Sequence, residues 1–177
     1  GMAMSTQRPF QKGDHVIYKN NGVCRIEDVS HLAFGSMPKR EYYILRPLSE
    51  EGTIYVPTDG GIATPKLRKI PEKSEIDALI DNVEKSSLEW IENSKLRIVA
   101  FDRLLSSGNR ESILWLVKVQ KKKKEQDAAK GKRLCTNEER ILSTAEKIIT
   151  EEFAFALELD KKNVVPYILA RIEKTKP

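Results

Sequence analysis

The chain has 177 residues, 40% of them hydrophobic and 32% charged, with a formal net charge of +5. That balance fits a folded, soluble, helix-rich protein with a large charged surface and argues against a disordered chain. No apolar run approaches the roughly 20 residues of a membrane span, and Cys24 and Cys135 stand too far apart, without CxxC spacing, to suggest a disulfide framework or a zinc site.

Residues 1–7, opening with Gly1 before Met2, read as a disordered tail or expression scar, and no secretory signal is expected. Residues 8–70 have β texture. Asp14 to Tyr18 is apolar and β-prone, and Lys19-Asn20-Asn21-Gly22 follows as a turn, because Asn and Gly tolerate positive φ. Val23 to Val29 alternates in part, His31 to Pro38 reads as a loop, Glu41 to Leu48 as a strand, and Thr53 to Pro57 as another. Short strands at this spacing predict a small antiparallel barrel or strongly bent sheet. The Pro and Gly cluster from Pro57 to Pro65, then Pro71, leads out of it.

Beyond Pro71 the periodicity is helical. A helix is expected from Ser74 to about Glu84. Ser86-Ser87-Leu88-Glu89 has the spacing of a capping box and predicts a helix running to Ser106, with Ile91, Ile98, Phe101 and Leu105 on one stripe. Gly108 stops it, and Asn109 caps a third helix from Arg110 to about Lys124. Glu125 to Arg133 is polar and reads as a loop or frayed end. A second capping box at Thr136 to Glu139 opens a long helix to about Leu159, with Ile141, Ala145, Ile148, Glu152 and Ala156 near one line and Glu152 at the edge of the buried face. A last helix is expected from Val164 to Arg171, with Pro166 in its first turn. The fold class is therefore α+β, a small antiparallel β domain at 8–70 followed by an all-helical bundle at 71–177.

No Walker A sequence, GxGxxG, GxSxG or HExxH occurs, and the acidic residues fall where capping and solubility explain them. An enzyme, a metal or a cofactor is not expected. Charge is unevenly spread, with twelve basic and four acidic side chains between residues 95 and 133. Such a concentration is the footprint of a phosphate-binding surface, or else the solvated face of a charged helix pair. Trp90 has two readings as well. It is either a core residue or an apolar wedge for a minor groove, with Lys95, Arg97 and Arg103 close enough to hold phosphates. Trp115 reads only as core.

The segments Phe10-Gln11-Lys12-Gly13-Asp14-His15-Val16-Ile17-Tyr18, Gly22-Val23, Tyr42-Tyr43-Ile44-Leu45 and Ile54-Tyr55-Val56-Pro57 resemble the N-terminal domain of the CarD/CdnL family of bacterial transcription regulators, a domain similar to one in the transcription-repair coupling factor. Trp90 with Ser107-Gly108-Asn109, and Asn137 to Leu142 with Ala145 and Glu152-Phe153-Ala154, resemble that family's helical half. The resemblance spans about residues 8–160 and implies a Tudor-like β domain that docks on the RNA polymerase β subunit through Ile54, Tyr55 and Val56. It also implies a helical domain that lays Trp90 into promoter DNA at the upstream edge of the bubble, with Lys95 ahead of Arg97 and Arg103 on the backbone, and so stabilises the open complex without sequence-specific readout. The first turn departs from many members, with Tyr18-Lys19 and Asn21-Gly22 in place of Tyr-Pro and His-Gly. The expected protein is a cytoplasmic, nucleoid-associated monomer with no membrane partner. The alternative is a polymerase-binding scaffold whose helical half contacts another protein.

Overall fold

A computed structural model of the chain describes residues 8–60 and 66–176. The expectations for residues 1–7, and for the 61–65 part of the Gly and Pro stretch, lie outside the described residues. The chain divides into two compact units at 1–70 and 71–177.

The first unit is a five-stranded antiparallel sheet made of β1 (His15–Tyr18), β2 (Val23–Leu32), β3 (Arg40–Pro47), β4 (Ile54–Pro57) and β5 (Leu67–Lys69), in the order β4-β3-β2-β1-β5. Gly22 (φ 68°) closes the turn between β1 and β2, where a side chain would be strained. A bulge in β2 between Ile26 and Asp28 adds one residue against β3, so the side-chain parity reverses there. Cys24 and Ile26 before it, and Val29 after it, all pack into the core with Val16, Tyr43, Leu45 and Val56. This bulge is why the sequence alternates only in part. β5 was not expected. It has three residues, two of them basic and exposed, and it owes its strand conformation to pairing with β1 at Val16↔Lys69 and Tyr18↔Leu67.

The second unit is a bundle of α1 (Lys73–Asp81), α2 (Ser94–Ser106), α3 (Arg110–Ala129), α4 (Thr136–Leu157) and α5 (Lys161–Thr175). The middle of α3 is its axis: Ile113, Leu114, Trp115, Leu116 and Val117 are all buried, as expected only for a helix enclosed by neighbours on several sides. The helix contacts α1, α2 and α4, and α5 packs on α4 and α1.

Several boundaries differ from expectation. The helix foreseen from Ser86 begins at Ser94, with the Asn93 side chain accepting from the Leu96 N–H at 3.0 Å. Ser86 instead takes the Leu88 N–H two residues on, a local turn rather than a helix start. Trp90 and Ile91 therefore precede α2. In turn α3 runs past Lys124 to Ala129, because its lysines find acidic partners: Lys123 on Asp127 (2.7 Å), Lys124 on Glu139 (2.8 Å) and Lys121 on Glu146 (3.3 Å). Pro166 lies in the second turn of α5, not its first. The carbonyl it strips of a partner belongs to exposed Lys162, where water can satisfy it. Glu152 is not at an edge but fully buried, ion-paired with Arg110.

Candidate functional site

Two surfaces carry the residues singled out from the sequence, one on each unit. In the β unit, β4 is an edge strand that pairs only with β3 among the described residues. Its side chains alternate. Ile54 packs against the β core and Val56 is buried in it, while Tyr55 faces outward at 45% exposure. A side-chain contact by Val56 is thus ruled out by its own packing; at that position only backbone can meet a partner. Sequence reasoning missed Phe34, in the loop between β2 and β3. Its ring is 43% exposed and sits edge-on to both Tyr55 and Tyr42, 5.2 Å from each. The available signal was a large aromatic in a loop punctuated by Gly35 and Pro38, where it has no core of its own to fill. Met37, also exposed, turns back at the tip of that loop through its N–H to the Phe34 carbonyl at 3.0 Å. An apolar aromatic patch beside an open strand edge is the ordinary equipment of a strand-pairing protein contact.

In the helical unit the segment 86–93 crosses from a short 3-10 turn (Val83–Lys85) to α2 without regular structure. Trp90 lies on it, half-buried. One edge of its indole meets the Phe101 ring at 5.7 Å, and the Arg97 guanidinium lies 4.4 Å over its face. The side chain also opens into a groove of about 460 Å³, whose further lining includes Val119, Lys122, Lys123, Gln126 and Lys130 of α3 and its end. Both readings of Trp90 therefore apply to different parts of one ring. Trp115 is core throughout, at 4% exposure.

The expected cations are placed unequally. Lys95 and Arg103 are exposed on α2, outside the lining of the groove. Arg97 is 6% exposed and turned inward, ion-paired with Glu138 and bonded to the carbonyls of Ile91 (2.8 Å) and Glu92 (3.1 Å). With its guanidinium bonded to Glu138 and to these two carbonyls, and the residue this enclosed, Arg97 is turned away from any phosphate in solvent, which corrects its expected role. Lys122 and Lys130 line the groove instead, and neither makes an ion pair among the described residues. The reading of the basic stretch as a solvated, paired helix face accounts for Lys118, Lys121, Lys123 and Lys124 but not for Lys122 and Lys130. Their position was hidden because they share the groove of Trp90 from α3 and its end, 32 and 40 residues on in sequence. Glu92 and Asp127 also line the groove, and Lys123 holds Asp127 at 2.7 Å.

Among the described residues no group of three or more His, Cys, Asp or Glu is placed to hold a metal, and no helix is long and apolar enough to cross a membrane. Cys24 is buried and Cys135 exposed, both free. Burial, and then the nearby charge of Glu50, push the Cys24 thiol up to about 11, so it is an inert core group.

Comparison of the chain with curated proteins gives no match. Comparison with protein families matches residues 10–70 to the CarD-like/TRCF RID domain. The match coincides with the β sheet and its exposed aromatic edge, and the helical unit lies outside it. Residues 10–70 are thus similar to the CarD-like RNA polymerase-interacting domain.

Proposed function

We propose that this protein is a non-enzymatic transcription regulator that holds the RNA polymerase β subunit with the β4 edge and stabilises the open promoter complex with its helical unit. Tyr55 and Phe34 supply the apolar contact to polymerase, and the backbone of Ile54 and Val56 the strand edge. Trp90 presses into the minor groove at the upstream edge of the bubble, while Lys95, Arg103, Lys122 and Lys130 hold phosphates without reading sequence. The observation that carries this reading is the groove in which a partly open indole stands beside lysines left without acidic partners. That pairing of a stacking platform with cations suits unstacked nucleic acid of any sequence. The protein acts as a monomer, at the nucleoid.

The test is the lifetime of open complexes formed by polymerase with the full chain. Trp90→Ala should shorten the lifetime roughly tenfold, the loss of one stacked aromatic, while polymerase binding is retained. Unchanged lifetime with the variant folded and polymerase-bound would refute the DNA contact.

A second reading draws on α2, where Leu96 and Val99 are 62% and 52% exposed. An apolar stripe of this kind suits a protein partner for the helical unit. The two readings separate by salt, because phosphate contacts weaken steeply as salt rises and apolar contacts do not.

A further inference from the structure

We infer that Arg97 and Glu138 form a buried clamp whose task is to position Trp90. Its consequence for promoters rests on the DNA reading above; its structural part does not. The segment 86–93 has no helix or strand to hold it, and the carbonyls of Ile91 and Glu92 both point to Arg97, which donates to them at 2.8 and 3.1 Å. The same guanidinium donates through Nε to Glu138 Oε1 at 2.8 Å, and its second terminal nitrogen bonds that oxygen too. Its Cζ then lies over the Trp90 ring, 4.4 Å from the ring centre. Glu138 stands at the start of α4, and Gln120 of α3 donates to its backbone carbonyl at 3.1 Å. One side chain thus ties an irregular loop to α2 and α4, and Gln120 joins α4 to α3.

Stability alone does not account for this arrangement. Arg97 and Glu138 are 6% and 4% exposed, and desolvating such a pair costs about what its attraction returns, so apolar residues of similar volume commonly serve stability as well or better. Apolar residues would fill the space but could not hold two loop carbonyls. Lysine could meet the carboxylate but lacks the planar fork that reaches both carbonyls while its carbon lies over the indole. The geometry needs arginine for the loop, and the loop carries Trp90. Arg97 is a positioning residue, acting through Trp90.

The experiment uses the full chain labelled with 5-fluorotryptophan, its two ¹⁹F resonances assigned with Trp90→Phe. In the double variant Arg97→Met/Glu138→Leu, cooperative urea unfolding and the Trp115 resonance should persist. The Trp90 resonance should move towards the value of a solvated indole and sharpen, and open-complex lifetime should fall roughly tenfold, to that of Trp90→Ala. Arg97→Lys, which keeps the charge pair, should show the same Trp90 shift and guards against misfolding of the double variant. A wild-type Trp90 resonance in either folded variant overturns the clamp. A shifted resonance, with neither the double variant nor Trp90→Ala affecting open complexes, keeps the clamp and removes the DNA reading.

Discussion

At the scale of single residues, the candidate contacts are side chains left partly uncovered by otherwise well-packed surroundings. Tyr55 and Phe34 cover each other's edges but leave much of both rings in water. Exposed aromatic pairs of this kind become energetic centres when a partner buries them. Tyr55→Ala should weaken binding to the isolated polymerase β lobe about tenfold, on the order of 1–2 kcal/mol, measured by calorimetry. Affinity unchanged by this substitution would move the docking surface elsewhere on the sheet. The family resemblance singles out Tyr55 beside Val56-Pro57 and the structure leaves its ring exposed; Phe34 carries no such signal, because a loop residue has no periodicity by which to be read. Arg97 was misplaced for a related reason. Its charge suggests solvent, and only the carboxylate of Glu138, forty-one residues away, allows it to face inward.

Elements show where local chemistry is overruled. The end of α4 turns through Glu158 in the left-handed region (φ 54°), while the Leu159 N–H bonds back to the Ala154 carbonyl at 3.1 Å. Glycine is the usual residue there, and a side chain costs about 1 kcal/mol. Glu158→Gly should therefore raise the urea midpoint by the equivalent of about 0.5–1 kcal/mol; a lowered midpoint would mean that the glutamate side chain has a stabilising contact. α5 is tied to α1 by polar contacts. Tyr167 donates to Asp77 at 2.6 Å, and Arg171 bonds Asp81 at 2.8 and 3.0 Å. Burial acts to raise Asp77, but the hydrogen bonds from Tyr167 and Lys73, with the charge of Arg171, outweigh it and hold the carboxyl below its ordinary value of 3.8. A carboxyl depressed by folding stabilises the fold above its unfolded value, and that contribution disappears as pH falls through the folded one. The stability gap between the wild type and Asp77→Asn should thus be full at pH 6 and shrink steadily below about pH 4. A gap constant from pH 6 to pH 2 would contradict the depression.

For the whole molecule, the chain divides into two compact units, and the proposed function assigns one contact to each. The family match stops where the sheet stops, so the proposed polymerase contact and the basic groove fall in separate cores and can be altered separately. Lys122→Ala/Lys130→Ala should leave β-lobe affinity unchanged. It should also reduce the salt dependence of open-complex stabilisation by about 2 in the log–log slope, roughly 0.9 for each phosphate released. An unaltered slope would favour the protein-partner reading of the helical unit.

The amino-acid sequence alone determined the class of each half. Turn residues between short β-prone runs, then 3.6-residue periodicity with a cap at Asn109, suffice for an antiparallel sheet followed by helices, because those signals are local, although α4 starts behind Cys135 and not on the capping box expected from Thr136. Composition and the absence of catalytic motifs pointed away from an enzyme by the same local logic. What only the tertiary structure decided are the features that depend on a distant partner: β5, a strand only because β1 lies beside it; the start of α2, set by Asn93 and not by the better-looking box at Ser86; the inward turn of Arg97; and the lysines of α3 that frame Trp90. In each, the conformational choice is nearly neutral locally and is settled by pairing, burial or charge across the fold, which no window of sequence contains.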